Sequence, residues 1–297
     1  MNLVVDLGQS GSRYKLDTSR EIVSLDIAKT SKETVLETLE KIFTLIPKVS
    51  SPNVFLSLTG LQGDVGDPSP YGELCNTFFG SNEVAVMDDG IAAYVGALGD
   101  KAGVALTLGG GVVAVSNFGN RFGHADGKGP IFGDYGGGFW LGQTALRRAI
   151  ATIEGRDDSF DLVSLLKKEL ELHANLKDKT GVEASQLCIS TAQTVAFGAS
   201  QGNESAMEIL VEGAQYLGRT INAAWLKVSE NEGIVPTISI LGGLSKSEMY
   251  VGLIRTEVAK YLKFEFTEPI GDHLDGAPMA AKRFRNGVDP LLKWWRN

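Results

Sequence analysis

The chain has 297 residues, 43% of them hydrophobic and 22% charged, with a formal net charge of −8 and an isoelectric point near 5.1. This length allows two domains with separate cores, and the composition is typical of a soluble globular protein. The acidic balance argues against nucleic acids and anionic membranes as partners, although an acidic surface is also ordinary for a cytosolic protein.

Targeting and cysteine-based signals are absent from the sequence. Cys75 and Cys188 are far apart and lack a C-x-x-C spacing, which argues against a disulfide framework and against a zinc site. The N-terminus has no basic region followed by an apolar stretch, and no segment reaches the ~18 apolar residues of a membrane helix. We therefore expect a cytoplasmic protein.

Short apolar runs separated by polar turns predict strands in the first hundred residues, at 3–6, 13–17, 22–26, 54–58 and 84–87. Apolar residues recur at helical spacing over residues 35–46, which predicts a helix that ends before Pro47. A glycine- and proline-rich stretch occupies residues 63–72. Small residues over 90–98 predict a second helix.

After about residue 103 the order of elements begins again. Strands are predicted at 104–108, 112–117, 121–124 and 237–241, and helices at 138–151, 183–200, 204–229 and 247–262. This duplication concerns topology rather than residues. It indicates two α/β domains, 1–103 and 104–297, with a ligand cleft between them. The last helix, sealed by Trp294 and Trp295, could pack on the N-terminal domain.

Two glycine-rich turns carry the chemistry of the sequence. The first is Gly8-Gln9-Ser10-Gly11-Ser12, two residues after Asp6, and the second is Gly109-Gly110-Gly111. A strand that turns through small residues directly into the next strand exposes several backbone N–H groups, which suits phosphate. Asp88 and Asp89 end another apolar run between the two turns. Taken singly, such features are often ordinary turns; together they suggest a bound triphosphate beside a general base.

The motifs, in this order, resemble the acetate kinase/sugar kinase/Hsp70/actin superfamily. Within it they are similar to the N-acetylglucosamine kinases and the BadF/BadG/BcrA/BcrD ATPases. The matching segments are residues 6–12 for the D-G-G-G-T-K-T turn, 88–93 for the N-D-A-x-A-A run, 109–112 for G-T-G-S, 133–142 for G-D-E-G-S-G-Y-W-I-G, and Gly242-Gly243 for the adenosine-site glycines. The 133–142 stretch is the most specific, and the resemblance covers most of the chain.

The resemblance implies two ribonuclease H-like (actin-like ATPase) domains around a nucleotide cleft. It also implies ATP and Mg²⁺ as cofactors, a sugar or amino sugar as substrate, and a homodimer. Asp89 would be the catalytic base, and Asp6, at a strand end, would support Mg²⁺. The candidate ATP phosphate-binding residues are Gly8, Gln9, Ser10, Gly11, Ser12, Gly109, Gly110 and Gly111; the candidate adenosine-binding residues are Gly242 and Gly243; the candidate substrate-binding residues are Thr59, Gly60, Asp89 and Asp134.

The sequence also departs from the family pattern. Gly110 and Val112 replace a threonine and a serine of the second phosphate turn, so two hydroxyl donors are lost. Lys128 stands where the family has an aromatic residue that contributes to the sugar pocket, and Tyr135 replaces a glutamate. These changes affect the sugar pocket more than the nucleotide site, so N-acetylglucosamine itself is not assured as the substrate.

Two other functions remain open from the sequence. One is a BadF-type ATPase that couples hydrolysis to a partner protein, but such activators carry cysteines for an iron–sulfur cluster and this chain has two lone cysteines. The other is a non-catalytic regulatory relative. The altered second turn is compatible with it, whereas the retained Asp6, Asp89 and Asp134 argue against it.

Overall fold

The computed structural model describes residues 1–9, 11–17, 21–30, 32–61, 63–172, 179, 181–229 and 233–297. The chain divides into two compact units. Unit 1 comprises Met1–Ala102 and Glu268–Asn297, and unit 2 comprises Gly103–Thr267. The sequence prediction assigned 104–297 to the second domain and allowed only the last helix to pack on the first, whereas residues 268–297 belong to unit 1. The chain returns to unit 1 at residue 268 and ends there in a helix and an edge strand of its sheet.

Unit 1 is built on one mixed sheet. Its strands are β1 (Asn2–Leu7), β2 (Ser12–Leu16), β3 (Ile22–Leu25), β4 (Asn53–Leu58), β5 (Glu83–Asp88) and β11 (Leu292–Arg296). The strand order is β11-β5-β4-β1-β2-β3. β1 pairs antiparallel with β2 and parallel with β4, and β4 is parallel to β5. The carboxyl ends of β1, β4 and β5 therefore lie side by side at one edge of this sheet.

The α-helices in the described residues of unit 1 are α1 (Val35–Leu45), α2 (Ser69–Phe79), α3 (Asp89–Leu98) and α10 (His273–Arg283). α1 begins with a capping box, in which Thr34 and Glu37 satisfy each other's backbone N–H groups. α3 and α10 cross at glycines. A β-carbon on Gly96 would lie 2.1 Å from the carbonyl oxygen of Asp272, and one on Gly276 would lie 1.9 Å from that of Ala92. This close crossing fixes the start of α10 beside unit 1's sheet.

Two elements of unit 1 differ from the sequence prediction. α2 begins inside the glycine- and proline-rich stretch, because Pro70 lies in its first turn, where the missing N–H is not needed. The C-terminal tryptophans lie on β11, which pairs antiparallel with β5, and not on a helix. Trp294 donates from Nε1 to the carbonyl of Phe284, and Trp295 packs against Gly72.

Unit 2 repeats the same sheet. Its strands are β6 (Gly103–Leu108), β7 (Val112–Phe118), β8 (Arg121–Asp126), β9 (Thr237–Leu241) and β10 (Glu265–Phe266), in the order β10-β9-β6-β7-β8. β6 is antiparallel to β7 and parallel to β9, and β9 is parallel to β10. Leaving out β11, the two sheets have the same order and the same strand directions. The duplicated topology predicted from the sequence is confirmed.

The helices of unit 2 are α4 (Gly138–Ile153), α5 (Phe160–Leu165), α6 (Lys167–Leu172), α7 (Gly181–Ser200), α8 (Glu204–Ser229) and α9 (Glu248–Val258). A 3₁₀ turn, Gly243–Lys246, links β9 to α9. α4 crosses α7 closely, since a β-carbon on Gly142 would lie 1.8 Å from the carbonyl oxygen of Cys188. Within the described parts of the chain, none of the helices has the length and apolar character needed to span a bilayer.

Candidate active site

Asp6 lies near the carboxyl end of β1 and is held from both neighbouring strands. Ser57, opposite it on β4, donates from Oγ to Asp6 Oδ1 at 3.0 Å. Arg13, opposite it on β2, donates from Nη2 to Asp6 Oδ2 at 2.7 Å. Arg13 also donates from Nη1 to Asp272 Oδ2 at 2.5 Å. Each oxygen of the predicted metal ligand therefore already accepts one hydrogen bond.

The first glycine turn joins β1 to β2. The Gly8 N–H donates to the Gly11 carbonyl at 2.9 Å, and Gln9 is exposed. Ser10, a predicted phosphate ligand, lies outside the described residues. Ser12 is 2% exposed, and its Oγ finds no hydrogen-bond partner among the described residues. A buried hydroxyl without a partner is rare, and it is available to a phosphate oxygen.

Asp88 and Asp89 are adjacent in sequence but differ in what their carboxylates do. Asp88 is the N-cap of α3; its Oδ1 accepts the Gly90 N–H and its Oδ2 accepts the Gly63 N–H, both at 3.0 Å. Both oxygens of the Asp88 carboxylate therefore accept hydrogen bonds from backbone amides. The side chain of Thr59 favours the charged form of the Asp89 carboxylate and so lowers its pKa.

Burial raises the pKa of Asp89 to about 6, and the neighbouring carboxylate of Asp88 adds to this, while the charge of His273 lowers it. A carboxylate with this pKa is ionised at neutral pH and is basic enough to accept a proton during a reaction. Of the two aspartates, Asp88 is the one whose carboxylate is bound by backbone amides.

Thr59 and Gly60 follow β4 directly. Thr59 is 6% exposed and donates its N–H to the Leu7 carbonyl at 2.9 Å, which ties the end of β4 to the end of β1. Gly60 has φ of +84°, a backbone conformation that side chains rarely adopt. Unit 1 thus brings Asp6, Thr59 and Asp89 to the same edge of its sheet.

In unit 2 the second glycine turn packs on the start of α4. The N–H groups of Gly138 and Phe139 donate to the carbonyls of Gly109 and Gly110 at 2.8 and 2.9 Å. Gly109 donates its N–H to the Gly111 carbonyl at 3.0 Å. The carbonyls of the turn are thus directed to the helix and to the turn itself, which leaves the amides of Gly110 and Gly111 as its candidate phosphate donors.

Asp134 lies against this turn in a strained backbone conformation. Its φ is +60°, and a β-carbon on Gly111 would lie 2.5 Å from Asp134 Oδ2. Asp126, with φ of +69°, accepts the Asp134 N–H at 2.7 Å and closes the intervening loop. Asp134 is 6% exposed, and its Oδ1 finds no hydrogen-bond partner among the described residues. Burial raises its pKa to about 6.

A cavity of about 860 Å³ lies beside the 3₁₀ turn of unit 2. It is lined by Gln193, Ala196, Phe197 and Ser200 of α7 and by Gly243, Leu244, Lys246, Ser247, Glu248 and Met249. Its volume is in the range of small-molecule sites. The exposed ring of Phe197 supplies a flat apolar surface on one wall. The predicted adenosine-site residue Gly243 therefore lines a cavity of suitable size.

The two predicted adenosine-site glycines have different reasons to be glycine. Gly242 has φ of +105°, and a β-carbon there would lie 2.3 Å from the Leu108 carbonyl oxygen. Gly243 has no positive φ, and no described heavy atom lies within 4 Å of where its β-carbon would be; the same holds for Gly109. Since β6 and β9 are parallel neighbours, these two unconstrained glycines follow adjacent strands. Among the described residues, nothing packs against either position closely enough to require glycine.

Sequence reasoning missed several residues of these sites. In unit 1 they are Ser57, Arg13 and Asp272, and in unit 2 they are Gln193 and Phe197 of α7. The strand register would have placed Ser57 and Arg13 on either side of Asp6. The cavity wall on α7 has no comparable signal in the sequence, because it depends on how that helix packs.

Comparison with known proteins places the chain among nucleotide-dependent proteins. The sequence profile of the BadF/BadG/BcrA/BcrD ATPase family matches residues 20–277. No curated protein matches the chain by sequence.

Several solved structures share the fold over nearly their whole length. A candidate N-acetylglucosamine kinase from Chromobacterium violaceum is 20% identical, with 94% of this chain and 98% of that chain covered and a TM-score of 0.65. A candidate N-acetylglucosamine kinase from Porphyromonas gingivalis is 13% identical, with 96% and 100% covered and a TM-score of 0.66. A ROK family glucokinase from Streptomyces griseus, in complex with glucose and AMPPNP, is 16% identical, with 96% and 99% covered and a TM-score of 0.59. At these identities the likeness shows the fold, which agrees with the actin-like α/β class predicted from the sequence.

Proposed function

Because the chain belongs to the BadF/BadG/BcrA/BcrD ATPase family, we propose that it transfers the γ-phosphoryl group of ATP to a hydroxyl of a sugar or amino sugar, with Asp89 as the general base. The observation that carries the proposal is the contrast between Asp88 and Asp89. One carboxylate is held by two backbone amides, and its neighbour is left with a pKa raised to about 6.

In the proposed reaction, Asp89 accepts the proton of the attacking hydroxyl. The hydroxyl oxygen bonds to the γ-phosphorus, the bond from that phosphorus to the β–γ bridging oxygen breaks, and ADP leaves. Thr59, whose side chain favours the charged form of Asp89, would orient the carboxylate toward the hydroxyl. Such a base typically contributes about 10²–10⁴-fold to the rate.

Nucleotide binding is proposed for unit 2. The amides of Gly110 and Gly111 would contact phosphate oxygens, and the ring of Phe197 would contact the nucleobase in the cavity beside Gly243. In unit 1, the turn from Gly8 to Ser12 would supply further phosphate donors. Mg²⁺, when bound, would neutralise charge on the phosphates, and Asp6 is the residue that would hold it.

The sugar would be recognised by polar groups that have no partner among the described residues. Asp134 Oδ1 is buried and unpartnered among the described residues, so it is suited to accept a hydrogen bond from a sugar hydroxyl. Lys128 is exposed and replaces an aromatic residue of the related sugar pocket. A missing polar contact typically costs ~1–3 kcal/mol, or about 10–100-fold. We therefore expect weaker activity on N-acetylglucosamine than on a related hexose or hexosamine.

The test is ATP-dependent ADP release measured against a panel of hexoses, hexosamines and N-acetylated hexosamines, with Asp89→Asn as the inactive control. Release stimulated by at least one sugar, and lost in the variant, is the expected result. Steady ATP hydrolysis that no sugar stimulates would contradict the proposal and favour an ATPase coupled to a partner protein. Both cysteines are buried, which argues against a surface iron–sulfur cluster in that alternative.

A further inference from the structure

Arg13 forms a bridge between two carboxylates at the edge of the unit 1 sheet. Its Nη2 lies 2.7 Å from Asp6 Oδ2, and its Nη1 lies 2.5 Å from Asp272 Oδ2. Asp272 is the N-cap of α10 and accepts the Leu274 N–H at 2.9 Å. The Arg13 side chain therefore connects the predicted metal ligand to the start of a helix that packs on α3.

Stability alone is a weak reason for this bridge. The side chains of Arg13, Asp6 and Asp272 are 31%, 11% and 38% exposed. Ion pairs with this much solvent contact contribute about 0–1 kcal/mol. Lys15, two residues further along β2, makes a comparable contact with Asp275 of the same helix at 3.4 Å. A cross-link from β2 to α10 thus exists without Arg13, and of these two cations Arg13 is the one that contacts Asp6.

The bridge changes what Asp6 offers to a cation. A divalent cation held directly by Asp6 Oδ2 would lie close to the guanidinium. A divalent cation and the singly charged guanidinium about 5 Å apart repel each other. Even at the dielectric constant of water, this repulsion lowers the affinity for the cation more than tenfold. Ser57 occupies one position on Oδ1 as well. The carboxylate is thus oriented, but it is a poor site for a cation that arrives alone.

We propose that Arg13 is a positioning residue: it holds Asp6 in place while preventing it from binding a free divalent cation, so that the site accepts Mg²⁺ only when the metal is carried by the nucleotide phosphates. This inference rests on the proposed function, since it explains how the same site would bind Mg²⁺ that is complexed with a nucleotide in preference to free Mg²⁺. Phosphates add the negative charge that offsets the guanidinium, whereas a hydrated cation alone does not.

The decisive measurement is Mn²⁺ binding to the intact chain without any nucleotide, followed by the electron paramagnetic resonance signal of free Mn²⁺. We expect the wild-type protein to bind MnCl₂ weakly and Arg13→Gln to bind it at least about tenfold more tightly. Arg13→Lys keeps the charge and should behave like the wild type in this assay. Lys15→Gln is the matched control, because it removes the neighbouring contact with α10 and leaves Asp6 untouched.

A second readout separates positioning from simple structural support. With AMPPNP present, wild type and Arg13→Gln should both bind Mn²⁺, while kcat of Arg13→Gln falls about tenfold or more because Asp6 has lost one of its two holders. Tighter binding of the metal alone combined with lower turnover is the signature of the proposal. A protein that is merely loosened would lose both.

The outcomes are distinguishable. If folded Arg13→Gln binds Mn²⁺ alone no better than wild type, the role of Arg13 is refuted whatever the enzyme does. If Arg13→Gln does not fold, Arg13→Met removes the charge while keeping an apolar side chain at that position, and an unchanged Mn²⁺ affinity in that folded variant refutes the proposal equally. If wild type fails to bind AMPPNP with or without Mn²⁺, the proposed function fails, and the Mn²⁺ comparison still judges Arg13.

Discussion

Replacing Gly243 by alanine should weaken nucleotide binding without destabilising the chain. No described heavy atom lies within 4 Å of the new β-carbon, and the backbone has no positive φ, so the folded protein accepts alanine there. Replacing glycine at such a position stabilises by about 0.4–1 kcal/mol, because the unfolded chain loses freedom. The β-carbon would instead enter the space that we assign to the nucleotide.

The expected loss follows from the usual effect of overfilling a packed contact, about 1–3 kcal/mol. At about 1.4 kcal/mol per tenfold, this corresponds to a rise in Kd for AMPPNP of about 5- to 150-fold, measured by calorimetry. Gly109→Ala, at the corresponding position after β6, should behave in the same way.

Two further glycines provide matched controls for this prediction. Gly252→Ala, on the exposed side of α9, also meets no described atom within 4 Å and should leave both nucleotide binding and folding intact. Gly242→Ala should lower the melting temperature, because φ is +105° and the Leu108 carbonyl oxygen is 2.3 Å from the new atom. Wild-type AMPPNP affinity in folded Gly243→Ala would refute the placement of the nucleotide.

Four other outcomes are expected. Asp89→Asn should retain AMPPNP binding and lower kcat by about 10²–10⁴-fold in the coupled ADP assay. In the wild type, kcat/KM should rise with pH up to about 6 and then level off, since the ionised carboxylate of Asp89 is the active form. Asp88→Ala should instead lower the free energy of unfolding by about 1–2 kcal/mol in urea titrations, because two backbone amides lose their acceptor. Asp134→Asn should raise that free energy by about 1–3 kcal/mol at pH 8 and abolish sugar stimulation of ADP release.

The sequence predicted best where the signal is local. Strand ends followed by small residues correctly predicted Asp6 near the end of β1, Asp89 directly after β5, and the two glycine turns between paired strands, because a turn through glycine is fixed by its own residues. The bounds of α2 were not predicted, because residues 63–72 were described only as a glycine- and proline-rich stretch, although Pro70 lies in the first turn, where proline favours a helix.

Contacts between residues far apart in the sequence could not be predicted from local sequence patterns. Arg13 meets Asp272 across 259 residues, and β11 reaches β5 after more than 200. Neither pairing leaves a periodic pattern in the sequence, because each depends on the chain returning to unit 1 after unit 2 is complete. The wall of the cavity on α7, including Phe197, likewise follows from helix packing rather than from local residues.

Asp134 is a candidate ligand-binding residue because its buried carboxylate lowers the stability of the folded protein at neutral pH. Its φ of +60° is uncommon for a residue with a side chain, its carboxylate is buried, and one oxygen has no partner among the described residues. The raised pKa means that the folded state binds a proton more tightly than the unfolded state. The associated stability is therefore present below about pH 4 and is lost as the pH rises through about 6. At neutral pH asparagine, of the same shape and without the charge, would fold more stably. A ligand that binds the Asp134 carboxylate would explain why this position holds an aspartate despite its cost in stability. The measurements of stability and of sugar response on Asp134→Asn test that explanation. A variant that is no more stable than wild type at pH 8, or whose ADP release still responds to sugar, would exclude it.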